Sequence, residues 1–268
     1  MLIIFTGLFV VFFIIQNNLP DQLTFNKFLD YARESEKMNI LDFSIDYENR
    51  YTFWSGITGG LFLALSYFGT DQSQVQRYLG GKSVKEIRLG LIFNGIFKIP
   101  MQFFILLIGV SVFIFYEFNT SPINFNPQAT QYLEHNLRDN FTEINSELES
   151  INYKKKKFHE EFFNESDIDF KKLKIIQSEE KILRTQIKEL IDTNTDIESN
   201  DKDYVFLHFI LNYLPTGLIG LLIAVIISAA MSSTASELNA LAATTTIDIY
   251  KRNTTTKKSE KHFLKMSK

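Results

Sequence analysis

The chain has 268 residues, of which 45% are hydrophobic and 22% charged, and its formal net charge is −3. This charge excludes the basic surface of a nucleic-acid-binding protein. The absence of cysteine excludes disulfides, thiol catalysis and cysteine metal sites. The four histidines have no metal-ligand spacing, and no Ser-His-Asp arrangement, phosphate-binding loop or dinucleotide fingerprint occurs. The sequence therefore predicts neither an enzyme nor a nucleic-acid partner.

Long uncharged runs alternate with long charged runs, a pattern typical of an all-α polytopic membrane protein with polar loops. Residues 1–16 are apolar but short. They are predicted to be the truncated end of a membrane helix, because neither a basic flank nor a cleavage site marks a signal peptide. Residues 17–51 are polar and acidic and are expected to form an extracytoplasmic loop. Residues 52–71 form the second membrane segment, where Gly69 among polar neighbours predicts a broken helix near 66–71.

Residues 72–88 form a short basic connection, which fixes the orientation because short loops rich in Lys and Arg stay in the cytoplasm. Residues 89–118 form the third membrane segment. Lys98 lies about 15 Å into this helix at 1.5 Å per residue, too deep to reach the cytoplasmic surface easily. A charge at this depth is costly unless it is used. Two interpretations stay open, a structural ion pair with Asp71 or Glu237, or a binding role.

Residues 119–203 form a large polar insert on the extracytoplasmic side. Apolar residues at three–four spacing, with exceptions at Lys155 and Glu180, predict two helices separated by a break at residues 164–167. We interpret the insert as an autonomous antiparallel helical hairpin. Residues 204–213 are predicted to be a short helix at the membrane surface.

Residues 214–250 form the fourth membrane segment, which becomes small and hydroxylated in its second half. Ala229, Ser232, Ser233, Ser236 and Ala240 fall on one helical stripe. Such a stripe is either a helix-packing seam or a cation site built from hydroxyl and carbonyl oxygens. Residues 251–268 form a basic tail, which is expected in the cytoplasm.

Three stretches carry a resemblance to a known family: SYFGTDQSQVQRYLGGKS (66–83), NGIFKIPMQFFILLIGV (94–110) and LPTGLIGLLIAVIISAAMSSTASELNALAATTTIDIYKR (214–252). They resemble the sodium:solute symporter family. The resemblance implies a LeuT-type inverted-repeat helix bundle, in which the four membrane segments would be core helices five to eight and the chain a fragment of a longer carrier. The helical insert is not part of the resemblance.

The family pattern also implies roles for individual residues. It places a sodium site on the carbonyl of Ala229 and the hydroxyls of Ser232 and Ser233, an aromatic gate at Tyr67, and a polar solute contact at Lys98. A family position that is often Asn is Ala64 here, which argues against a sugar-type solute.

The expected function is sodium-coupled symport of a small polar organic solute by alternating access in the cell (cytoplasmic or inner) membrane. The partners implied are sodium, the solute and the lipid bilayer. The alternative is a membrane sensor or signalling subunit with a transporter-like core, in which the insert would bind the signal.

Overall fold

The computed structural model describes residues 2–39, 42–46, 52–164, 168–255 and 258–267. Part of the acidic loop, most of the predicted break at 164–167 and Lys257 of the basic tail lie outside the described residues. Within the described ranges all regular structure is helical, which confirms the prediction of an all-α chain. The helices are α1 (Leu2–Asn17), α2 (Phe25–Glu34), α3 (Phe53–Leu65), α4 (Gln72–Leu79), α5 (Val84–Phe118), α6 (Pro127–Asn136), α7 (Arg138–Asn164), α8 (Phe170–Asn194), α9 (Lys202–Tyr213), α10 (Thr216–Thr244) and α11 (Glu260–Met266).

Two stretches in the described ranges are long and apolar enough to cross a bilayer, α5 and the continuous helix Thr216–Lys251. One third of the most apolar 18-residue stretch of α5 is buried, and none of that of Thr216–Lys251 is buried. Side chains such as Phe62 of α3 and Met231 of α10 are about 70% exposed. Exposed apolar surface of this extent requires a bilayer or further apolar helices around it, which is consistent with a helical membrane protein.

The sequence differs from the structure in the polar regions. Helix α2 lies within the predicted loop 17–51, because Thr24 caps its first turn and Phe28, Tyr31 and Ala32 form a buried stripe. The insert contains α6 in addition to the two helices of the predicted hairpin. Its N-cap is Asn126, and Pro127 occupies the first turn.

The chain divides into two compact units, one comprising residues 1–40 and 99–215 and the other residues 41–98 and 216–268. Helix α5 contributes to both. The first unit contains the predicted extracytoplasmic insert, and the second contains the residues proposed for sodium and solute binding.

In the first unit, α7 and α8 pack against each other along the stripes that the three–four spacing predicts. The buried side chains of α7 include Ile144, Leu148, Ile151, Phe158 and Phe162, and those of α8 are Leu173, Ile176, Leu183, Ile187 and Ile191.

Lys155 and Glu180, the two charged residues that interrupt the three–four spacing, are part of a buried ion network. The ammonium of Lys155 lies 2.6 Å from a carboxylate oxygen of Glu180 and 3.1 Å from one of Glu117, at the end of α5. Only 5% of the Lys155 side chain is exposed. Arg184 contacts the other oxygen of Glu180 at 2.9 Å. Burial acts to raise the pKa of Glu180, but the charges of Lys155 and Arg184 outweigh it and lower the pKa, so this carboxylate is ionised.

A second set of buried groups extends the network to α2. The hydroxyl of Tyr31 donates to Glu117 at 3.0 Å and lies 3.1 Å from Nε2 of His159. Burial, assisted by the charge of Lys155, lowers the pKa of His159 to about 3, so its ring is neutral at physiological pH. Glu117 and Tyr31 lie outside the insert, and the autonomy of the hairpin stays a prediction. The insert is tied to α2 and α5 by buried polar contacts.

Replacing Lys155 by Met tests this attachment. The change leaves Glu117 buried without a cation, and breaking a buried pair in this way costs about 3–5 kcal/mol. We expect the backbone amides of α7 and α8 in the purified chain to exchange hydrogen much faster. The matched control is Lys154→Met, because Lys154 forms an exposed ion pair with Glu179 at 2.6 Å, worth about 0–1 kcal/mol. Equal exchange rates in the two variants would contradict a role for the buried network.

Candidate functional site

Some hydroxyl groups of α10 donate to backbone carbonyls of the helix, and others do not. Ser228 donates to the carbonyl of Ala224 at 2.8 Å, and Thr234 donates to that of Ala230 at 2.9 Å. Ser232 and Ser233 form no hydrogen bond with any part of the chain that the structure describes. Both the proton and the oxygen lone pairs of these two hydroxyls are therefore available to a ligand.

Ala229, Ser232 and Ser233 share one side of α10, one turn apart along the helix. All three residues are exposed within the described ranges, so neither a second helix nor a packing seam covers them there. Hydroxyl and carbonyl oxygens are suitable ligands for a hard cation such as sodium. Three oxygens from one helix form only one wall of such a site, and the remaining ligands have to come from outside α10.

The predicted helix break is a π-helical turn, Ser66–Thr70, between α3 and an extended residue, Asp71. π-Helical turns are rare and occur frequently at functional sites. Asp71 accepts hydrogen bonds from the backbone N–H groups of Ser73 at 3.0 Å and Gln74 at 3.3 Å, and so begins α4. The backbone thus leaves the helical conformation at Asp71, four residues after Tyr67.

Tyr67 and Lys98, the two residues predicted to contact the solute, lie close together. The ammonium of Lys98 is 5.7 Å from the centre of the Tyr67 ring, within the range of a cation–π contact. Pro100, two residues further along α5, has no N–H to donate to the carbonyl of Ile96. A cation and a phenol therefore lie close together in the second unit.

The partners suggested for Lys98 as a structural ion pair bind elsewhere. Ser73 donates to a carboxylate oxygen of Glu237 at 2.6 Å and lies 2.8 Å from one of Asp71. This contact links α4 to α10, and Ser73 is only 2% exposed. No carboxylate lies within ion-pair distance of Lys98 in the described part of the chain.

Sequence reasoning missed the role of Ser73. The signal was present, because Asp followed by Ser two residues later is a common helix start. The structure brings Tyr67 and Lys98 close together. Ala229, Ser232 and Ser233 form a second, separate group on α10. Among the contacts of the described residues, none joins these two sets. Those residues also contain no cluster of three or more His, Cys, Asp or Glu side chains suited to a metal ion.

Comparison with known proteins identifies the C-terminal part of the chain. Residues 192–268 match the family model of the sodium:solute symporter family, which confirms the resemblance for the region that contains α9, α10 and the basic tail. No solved structure matches the chain. The LeuT-type arrangement therefore stays a prediction.

Three relatives illustrate the match. The human sodium/iodide cotransporter is 37% identical over 90 residues, which are 33% of this chain and 14% of that protein. Mouse sodium-coupled monocarboxylate transporter 2 is 39% identical over 70 residues, 26% of this chain and 11% of that protein. Human sodium-coupled monocarboxylate transporter 1 is 39% identical over 66 residues, 25% of this chain and 11% of that protein. The chain matches only a small part of each relative. All three relatives are transporters, which agrees with the prediction that the protein is not an enzyme.

Removing the free hydroxyls of α10 tests the sodium site. In a carrier that contains this segment, we expect Ser232→Ala and Ser233→Ala each to raise the sodium concentration for half-maximal uptake by about 5- to 150-fold. This range corresponds to about 1–3 kcal/mol for an unmade buried polar contact. Ser228→Ala and Thr234→Val are the controls, because those hydroxyls are already bonded to backbone carbonyls. If all four variants keep the original sodium dependence, the stripe serves helix packing only.

Proposed function

Because residues 192–268 match the sodium:solute symporter family, we propose that the chain provides sodium and solute ligands for a sodium-coupled secondary transporter that works by alternating access. The observation that carries this proposal is the pair of free hydroxyls, Ser232 and Ser233, on the matched helix α10. With the carbonyl of Ala229 they supply neutral oxygens only. A neutral site binds its ion weakly, as a carrier that has to release the ion requires.

The solute contacts in this proposal are Tyr67 and Lys98. Tyr67 is the second residue of the π-helical turn that follows α3, and in this proposal its ring closes over a bound solute. Lys98 supplies a donor and a positive charge.

We further propose that the solute is a small anion such as a carboxylate. A lysine at membrane depth is costly unless it is paired, and Lys98 has no carboxylate partner in the described ranges because Asp71 and Glu237 contact Ser73 instead. An anionic solute would supply the missing charge. The relatives named above are transporters of iodide or of monocarboxylates, which are anions. Ala64, at a position often occupied by Asn in the family, also argues against a sugar.

Lys98→Gln tests the solute class. In a carrier that contains this segment, we expect sodium-driven uptake of a short monocarboxylate or iodide, and little uptake of a hexose. Lys98→Gln should raise the anion concentration for half-maximal uptake by about 10- to 150-fold, the equivalent of about 1.5–3 kcal/mol for a hydrogen bond to a charged group. The sodium dependence should barely change. Lys85→Gln removes the same charge near the start of α5 and should leave uptake unaltered. A shift in sodium dependence would instead place Lys98 in the ion pathway.

The orientation proposed here is the one that the positive-inside rule predicts, with the insert outside and residues 72–88 and 251–268 in the cytoplasm. The chain contains no cysteine, so a single cysteine reports the side of the membrane directly. In intact cells, an impermeant maleimide should label Glu160→Cys on the exposed surface of α7 and not Lys261→Cys on α11. Labelling of residue 261 alone would reverse the orientation.

A further inference from the structure

A cleft in the first unit has no role in the proposed transport mechanism. Its volume is about 660 Å³, and it lies between the last turns of α5, the chain that follows α2, the outer side of α8 and the start of α9. All of these segments belong to the same compact unit.

The floor of the cleft is apolar and belongs to the membrane helix. Val112, Phe113 and Tyr116 of α5 line it, together with Val205 of α9. Helix α5 has 35 residues, or about 52 Å at 1.5 Å per residue, whereas the hydrocarbon core of a bilayer is about 30 Å thick. The last turns of α5 therefore reach the level of the lipid head groups.

The wall of the cleft has an excess of positive charge. Six basic and three acidic side chains line it. The acidic ones already have cations, since Glu117 and Glu180 bind Lys155, and Asp201 binds Lys188 at 2.8 Å. The remaining charge lies on three exposed lysines at the rim, which have no carboxylate within ion-pair distance among the described residues: Lys37, Lys181 and Lys202.

Local backbone geometry holds one of these lysines in place. Glu36 has a φ of 60°, a left-handed conformation that is uncommon for a residue other than glycine. The N–H of Lys37 then donates to the carbonyl of Ala32 at 3.0 Å, which ends α2. The Lys37 ammonium lies 4.6 Å from the centre of the Phe113 ring, over the apolar floor.

A second basic group, the guanidinium of Arg184, stabilises one side of the cleft. Arg184 donates to Ser121 at 2.7 Å and to the carbonyl of Ile123 at 3.2 Å, in addition to its contact with Glu180. These contacts occupy the guanidinium and fix the wall, whereas the three rim lysines are free to bind a ligand.

We propose that this cleft binds the head group of an anionic phospholipid. An apolar floor continuous with a membrane helix accepts an acyl chain, and a rim of three lysines accepts a phosphate, the complementary charge. A soluble anion would use the lysines but would leave the apolar floor exposed to water. The proposal is independent of the transport function, because it uses none of the residues proposed to bind sodium or solute.

Lipid retention by the purified full chain tests the proposal. Native mass spectrometry would compare phosphatidylglycerol with phosphatidylcholine of the same acyl chains. We expect preferential retention of phosphatidylglycerol, lost by at least about tenfold in Lys37→Ser/Lys181→Ser/Lys202→Ser, since each surface lysine contributes roughly 1 kcal/mol to anionic lipid binding. The control Lys156→Ser/Lys157→Ser/Lys171→Ser removes the same charge from exposed positions outside the cleft and should retain the lipid. Equal retention of the two lipids, or equal loss in both triple variants, would overturn the proposal.

A second measurement needs no lysine substitution. Thr185 lines the cleft and is exposed, so a fluorophore on Thr185→Cys reports occupancy. Spin-labelled phosphatidylglycerol should quench it more strongly than spin-labelled phosphatidylcholine. Displacement of the quencher by millimolar inorganic phosphate would show that the cleft takes soluble anions rather than lipid, and the absence of selective quenching would likewise reject lipid binding there.

Discussion

The insert depends on one buried cation. Lys155 is removed from water, and its charge is tolerated because Glu117 of α5 and Glu180 of α8 lie within ion-pair distance. This arrangement connects three helices, since α7 carries the ammonium and α5 and α8 each carry one of the carboxylates. Tyr31 extends the network to α2 through Glu117. His159 stacks on Phe118 with ring centres 4.0 Å apart and stays neutral, so it adds no positive charge to those of Lys155 and Arg184.

The second unit shows the opposite condition. Its polar groups in or near the predicted membrane segments are only partly satisfied by the described chain. The hydroxyl of Ser73 contacts both Asp71 and Glu237 and so joins α4 to α10. In contrast, the hydroxyls of Ser232 and Ser233 and the ammonium of Lys98 form no hydrogen bond or ion pair with the described residues. A fully satisfied network stabilises one structure, as around Lys155. A site that has to bind and release its ligands needs groups that the protein itself does not satisfy.

The sequence predicted the features that hydrophobic periodicity and charge distribution determine. The long apolar runs gave α5 and α10, and the three–four spacing gave the packed faces of α7 and α8. The sequence did not predict that Lys155 and Glu180 are partners. A charged residue interrupts an apolar stripe, and the spacing does not show where its counter-ion lies. Helix α2 was missed since a ten-residue amphipathic helix in an acidic loop is a weak pattern. The side-chain environment of Tyr67 and Lys98 could not be predicted from spacing, because it depends on the distance between two helices.

The different partners of Lys155 and Lys98 suggest how, in the proposed transporter, the charge of the solute would affect its coupling to sodium. Lys155 contacts two carboxylates and is structural, whereas Lys98 contacts none among the described residues and, in the proposed function, pairs with an anionic solute. The proposed sodium ligands Ala229, Ser232 and Ser233 carry no formal charge, so nothing in that set would offset the cost of bringing a cation to membrane depth. An anionic solute bound at Lys98 would lower this cost through its attraction to sodium, and sodium would in turn favour the anion. Under this hypothesis, the thermodynamic coupling of the two substrates follows from a neutral ion site and a cationic solute site in the same unit.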